Sequence, residues 1–275
     1  MRQYLAAGCL VSMSLSGAWA DSLQPHKAVY DLTLRSAEPS TSVVAASGRL
    51  VFELQGSACD GYTVDFRNVT RVTDREGAQR TTDLRSSTTE TLAPPVLVFD
   101  HETVVDGMAP SGIKGRAESR AGGVAVAVEA PKETTVSLVR AIFPTAHTRL
   151  ILEAAEAGER VLEARVFDGG DEADTIYETA TLIGPGQTGL PRASVGEMGE
   201  LAAIPNVERR TVWRLVISYF EDNEQSGERV PDYELTFSML DNGIAYDVVF
   251  DYGTFAMEGE LTELIMSDKP TCSID

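Results

Sequence analysis

From Lys27 to Leu264 the chain alternates apolar and polar residues with a period of two, and this constrains its fold more than any other feature. Val29, Asp31 and Thr33 interleave with Tyr30, Leu32 and Leu34, which is the pattern of a half-buried strand whose successive side chains face opposite sides of a sheet. Similar runs recur at 48–54, 61–71, 80–92, 96–99, 112–119, 124–129, 134–138, 161–167 and 175–183, and again at 212–220, 233–240, 244–252 and 254–264. Asp241-Asn242-Gly243 places Asn-Gly where a two-residue type I′ hairpin needs positive φ twice, and Tyr252-Gly253-Thr254 is a second tight reversal. A longer loop spans 74–78. Sequential hairpins of this kind specify antiparallel neighbours and a meander, not the crossovers of a parallel sheet.

Only one segment carries helical spacing. Pro144 and Thr145 open it, Ala146, Leu150 and Ala154 recur at i, i+4 and i+8, and Gly158 supplies a left-handed stop, giving a helix roughly thirteen residues long that plugs the open face of a curved sheet. The Gly- and Pro-rich stretch from Gly184 to Pro205 reads as an ordered long loop or short lid. The fold class is therefore all-β with one helix. A length of 275 residues with 43% hydrophobic and 24% charged side chains supports a sizeable core, and an all-β architecture can occupy 21–275 as a single domain. The net charge of -19 opposes an electrostatic grip on nucleic acid or anionic lipid.

The first twenty residues contain Arg2, an apolar run through Leu10, Val11, Met13 and Leu15, and the small-residue end Ala18-Trp19-Ala20 before Asp21. That is the form of a secretory signal peptide over 1–20, cleaved between Ala20 and Asp21, with no transmembrane segment expected in the mature chain. Cys9 leaves with the signal. Cys59 and Cys272 remain as an even pair in an oxidising compartment, so one disulfide is the simplest reading and two buried free thiols the alternative. Such a bond would close a long loop and, in the chain-entropy model, contribute up to about 5 kcal/mol.

Catalytic signatures are sparse. His26, His101 and His147 lack the close pairing or cysteine partners of a zinc site, and no nucleophile elbow, Ser-x-x-Lys or phosphate-cradling glycine loop occurs. Neither a metal nor another cofactor is expected. Asp168-Gly-Gly-Asp171-Glu172-Ala-Asp174 clusters oxygen ligands as a calcium loop would, but its spacing is not that of an EF-hand and a solvated acidic hairpin fits it better. His147 reads as a helix histidine at the core edge. Tyr219, Phe220, Tyr233, Phe237, Tyr246, Phe250, Tyr252 and Phe255 crowd the last four strands, most simply as core, with walls of an apolar groove for lipid or peptide as the alternative.

Pro25-His26-Lys27-Ala28-Val29-Tyr30-Asp31-Leu32 and Gly56-Ser57-Ala58-Cys59-Asp60-Gly61-Tyr62 resemble the opening of the EipB-like cell-envelope integrity family. The resemblance continues in order through Pro131-Lys132-Glu133, Phe143-Pro144-Thr145-Ala146-His147, Phe167-Asp168-Gly169, Ile217-Ser218-Tyr219-Phe220, Asp241-Asn242-Gly243 and Asp251-Tyr252-Gly253 to Cys272, and so covers essentially the whole mature chain. It implies a periplasmic protein of Gram-negative bacteria, folded as a spiral-like, partly open antiparallel β barrel with a helix at or in its mouth, and it implies the Cys59–Cys272 disulfide. The implied role is envelope integrity under stress, without catalytic residues to carry over. The expectation is a non-enzymatic factor that binds an envelope protein, or else a lipid or peptidoglycan component. The alternative is an envelope hydrolase or transferase built around His147, Asp168 and the loop from Gly184.

Overall fold

The computed structural model describes residues 23–170, 172–221 and 229–270. The signal segment, Asp171 and Cys272 lie outside the described residues. The chain runs through β1 (His26–Ala37), β2 (Val43–Ser57), β3 (Gly61–Asp74), β4 (Gln79–Leu92), β5 (Pro95–Val105), β6 (Ser111–Arg120), β7 (Gly123–Ala130) and β8 (Thr134–Leu138). After α1 (Pro144–Glu156) come β9 (Val161–Val166), β10 (Tyr177–Ile183), β11 (Gln187–Thr188), α2 (Val195–Leu201), β12 (Thr211–Glu221), β13 (Tyr233–Leu240), β14 (Ala245–Asp251) and β15 (Phe255–Met266).

All 15 strands form one sheet, ordered β8-β7-β6-β5-β4-β3-β2-β1-β15-β14-β13-β12-β10-β9, with β11 attached to β12. It is the meander expected from the turns, folded back where β1 pairs with β15 and brings the first and last strands side by side. The ladder does not close. Its two edges meet at one point, where Ile142, just past β8, forms a parallel bridge to Val166. There the Ile142 N–H donates to the Arg165 carbonyl and the Phe167 N–H donates to that of Ile142, each at 2.9 Å. Phe99, Phe143 and Phe167 pack edge to face behind this seam and anchor a smaller second core beneath β5 to β8.

The expectation of one helix needs correction, because α2 is a second, inside the stretch read as a loop or lid. A capping box creates it: the Ser194 side chain accepts from the Glu197 N–H, and the Glu197 carboxylate accepts from the Ser194 N–H. Ser-x-x-Glu was present in the sequence, but Gly196 and Gly199 lower helix propensity enough to hide it. The segment is no lid. Leu201 and Ile204 are buried in the main core with Tyr30, Tyr246, Met257 and Leu261. The helix expected from Pro144 has the boundaries read from its spacing, and Gly158 stands at φ +79. Its buried face runs through His147, Ile151 and Ala155, whereas Leu150 is only half-buried.

The reversal at Asp241-Asn242-Gly243 also differs from expectation. Only Gly243 has positive φ, and the Leu240 N–H donates to the Ile244 carbonyl, so the loop has three residues with glycine in the left-handed place and not the two of a type I′ turn. The buried Asn242 side chain accepts from the Ile244 N–H, which holds that residue out of the second positive-φ position.

Candidate functional site

Across β1 to β5 the register lines up one inward row: Ala28, Phe52, Phe66, Ser86 and His101 stand opposite one another in successive strands. One step along, the row is His26, Leu54, Val64, Thr88 and Phe99. All of these residues but Ala28 and Phe99 line the floor of an interior cavity of about 410 Å³. The first turn of α1, with Pro144, Thr145 and Thr148, forms one wall, and Asp168, Gly170, Tyr177 and Tyr233 form another. Leu23 and Gly243 also line it.

The helix that walls the cavity is held by a carboxylate that parity could have revealed. Glu90 shares the inward phase of Leu84 and Leu92, is 2% exposed, and accepts the N–H groups of Thr145 at 2.7 Å and Ala146 at 2.9 Å. It therefore caps α1, whose N-cap residue Phe143 has no side-chain acceptor. Burial raises its pKa, opposed by those hydrogen bonds and by Arg149. A second buried carboxylate, Glu197, accepts from the Asp247 N–H at 2.9 Å and the Leu261 N–H at 3.3 Å, tying α2 to β14 and β15.

Two histidines face the cavity. His26 is 2% exposed, and its Nδ1 lies 2.7 Å from the Gln24 carbonyl. A carbonyl only accepts, so Nδ1 carries the hydrogen and Nε2 is a bare lone pair. Burial lowers the His26 pKa and keeps the ring neutral. His101 is oriented the other way round, with Nε2 3.2 Å from the Asp168 carbonyl, which leaves Nδ1 as its acceptor. Asp168 is aimed by its neighbours: its carboxylate accepts the Gly170 N–H at 2.8 Å. Gly169 stands at φ +78 where a Cβ would meet the Phe99 ring at 2.5 Å. Tyr219 and Tyr233 stack at 4.4 Å with Tyr177 edge-on to both, and burial together with the Asp168 charge pushes the Tyr219 and Tyr233 hydroxyls up.

The three places where an active site was sought are not brought together. His147 is 4% exposed and faces Thr179, with Nε2 3.3 Å from its hydroxyl, and burial lowers its pKa to about 4. Asp168 lies on the cavity wall. Gly184 packs against β12, its N–H donating to the Arg214 carbonyl at 2.7 Å. For the calcium loop, Asp171 lies outside the described residues, and among the described residues no group of three or more His, Cys, Asp or Glu could hold a metal ion. Tyr246 and Phe237 are core, while Tyr233 is part of a cavity wall. A larger hollow of about 580 Å³ lies over β9 and β10, but Glu178 there already accepts from Arg165 and Arg229, and Arg229 stands over the Phe220 ring.

An open antiparallel sheet wound around an interior cavity, with a helix seated against it, defines a beta-barrel-like class. A crystal structure from Brucella abortus, described as a beta-barrel-like protein of a domain of unknown function, matches with a TM-score of 0.82 at 35% identity, over 90% of this chain and 100% of that one. The EipB-like family model matches residues 18–268. The chain is also 36% identical over 262 residues to the cell envelope integrity protein EipB of Brucella abortus (strain 2308), covering 94% of this chain and 91% of the relative. The chain belongs to the EipB-like family.

Proposed function

We propose that this protein is an exported, non-enzymatic factor of cell-envelope integrity that works by holding a lipidic envelope component in its interior cavity. The observation that carries this reading is the cavity itself. At about 410 Å³ it falls in the roughly 300–1,000 Å³ range of small-molecule sites, and its floor and walls are largely apolar and aromatic, which suits an alkyl chain better than a globular partner. Of the occupants expected from the sequence, an envelope protein or a peptidoglycan fragment fits it less well. The separation of His147, Asp168 and Gly184 supports a binding role over a hydrolase or transferase. Among the described residues no helix is long and apolar enough to cross a membrane.

A periplasmic location with cleavage between Ala20 and Asp21, a single domain over 21–275 and a Cys59–Cys272 staple belong to the same proposal. The register supports the staple. His26 pairs with both Leu54 and Met266, so β2 and β15 finish at the same end of the barrel, and Cys59 follows one finish while Cys272 follows the other. Intact mass measured before and after reduction of the denatured protein should start at Asp21 and differ by two hydrogens. Equal masses would remove the staple.

The test of the binding role uses N-phenyl-1-naphthylamine, a neutral apolar probe whose fluorescence rises on entering an apolar site. The mature protein should bind it saturably, and Leu84→Trp, which fills the cavity from β4, should abolish that binding while leaving the fold intact. Absence of saturable binding to the wild-type protein would overturn the reading.

A further inference from the structure

We infer that the cavity takes an uncharged amphiphile whose head is a free hydroxyl, anchored by donation to Nε2 of His26. The inference rests on the cavity being the binding site and deepens it to a chemical class. It starts from how His26 is held. Its Nδ1–H donates to the Gln24 carbonyl at 2.7 Å. Gln24 is itself fastened on two sides, its N–H donating to the Asn242 carbonyl at 2.9 Å and its side-chain Nε2 to the Ser267 carbonyl at 2.7 Å. This fixes the ring, with the Phe52 ring 5.4 Å away between centroids and the imidazole Nε2 turned from Gln24. That Nε2 has no hydrogen-bond partner among the described residues, yet it is not one of the polar atoms that the fold seals in, as it seals Nδ2 of Asn242. The residue is 2% exposed and lines the cavity, so its one remaining acceptor is open to a ligand there.

The surroundings choose the donor. Leu54 stands opposite His26 in β2 and Val64 beyond it in β3, and Leu23 lines the cavity just ahead of β1. Burial lowers the His26 pKa, opposed only by the hydrogen bond to Gln24, and no charged side chain contributes. The ring is therefore neutral, and this end of the cavity holds no counter-charge. An ammonium or a carboxylate brought to Nε2 would lose its hydration without gaining an ion pair, whereas a hydroxyl gives up far less and supplies the one hydrogen the lone pair needs. An alkyl chain or an ether oxygen in the same place would leave Nε2 dry and unpaired, a loss of about tenfold or more in affinity. The hydroxyls of Thr145, Tyr177 and Tyr233 line the other walls and serve either polarity, so they accommodate further polar groups without setting this choice.

The experiment is displacement of N-phenyl-1-naphthylamine from the mature protein by decanol and by its straight-chain isomer methyl nonyl ether, which has the same atoms and an oxygen that accepts but no hydrogen to donate. The alcohol should displace the probe at least about tenfold more tightly than the ether. His26→Phe, which keeps a ring and removes the lone pair, should erase most of that ratio. Decylammonium and decanoate, at high salt where attraction to or repulsion from the acidic surface is screened, should both bind more weakly than decanol. A ratio unchanged in His26→Phe, or either charged chain binding more tightly than the alcohol, would overturn the inference. Because His26 is buried, a second measurement needs no change at that position. In long-range proton–nitrogen spectra of the wild-type protein, with ring signals assigned through His101→Gln and His147→Gln, the His26 Nε2 resonance should move on adding decanol and stay in place with the ether. Equal shifts, or none, would overturn the inference as well. A protein that fails to bind the naphthylamine probe instead overturns the binding role itself.

Discussion

The two arms of the sheet, β2 to β5 and β12 to β15, follow the same antiparallel meander but treat their inner faces differently. On β12 to β15 the inward residues Leu215, Ile217, Phe237, Met239 and Leu261 are buried, in one core with Leu201 of α2 and Ile151 of α1. On β2 to β5 the inward residues Phe52, Phe66, Leu84 and Ser86 are only half-buried and line a cavity. Alternation alone would give both arms a buried face. What separates them is where the two helices land. A chain with two short helices and a 15-stranded sheet cannot cover all of it, and the uncovered part becomes the site.

This contrast is sharpest in paired truncations. Leu215→Ala on β12 should destabilise by about 2–5 kcal/mol, because it removes a fully buried side chain from a packed core, whereas Leu84→Ala on β4 should cost below about 1 kcal/mol. Comparable losses in urea unfolding would mean that the open arm is packed after all. Next in size is an acid limb belonging to the α1–β10 contact. His147 is held near a pKa of about 4 against an ordinary 6.5, so its neutral form contributes stability that is present above pH 6.5 and lost as pH falls toward 4, on the order of 3 kcal/mol. His26 acts with the same sign. Glu90 has the opposite one: with a raised pKa, its contribution is present below the ordinary carboxylate value of 4.5 and lost as pH rises through the folded value. His147→Gln, which cannot charge, should flatten the melting-temperature profile between pH 6.5 and 4; a slope equal to that of the wild type would assign the acid limb elsewhere. The smallest effect tests the cover of the closed arm. Ser194→Ala should cost about 1 kcal/mol through loss of the α2 cap, with its hydrogen bond to Glu260 going too, and should leave probe binding unaltered.

Much of this was legible in the chain. Fourteen of the strands correspond to runs of period two, and α1 lies between the proline and the glycine that bracket it, because both signals are local: side-chain alternation and backbone punctuation act over a few residues. The β11 pair and α2 were not legible, since two residues carry no period and two glycines mask the capping box. The candidate site was legible only in fragments. His26, His101 and Asp168 stood out as residue types, but nothing local says that 26, 101 and 168 line one cavity.

The sequence by itself determined an antiparallel all-β chain, the order of its hairpins, the extent of α1 and an acidic surface poorly suited to nucleic acid. The tertiary structure alone decided which inward face is filled and which is left hollow, that Glu90 seals the helix terminus 55 positions away, and that His26 and His101 donate to backbone carbonyls through opposite ring nitrogens. The reason is physical. Strand and turn formation follow from interactions between neighbours in the chain, whereas the burial of a carboxylate and the tautomer of a histidine are set by partners that only the wound sheet brings within hydrogen-bond reach.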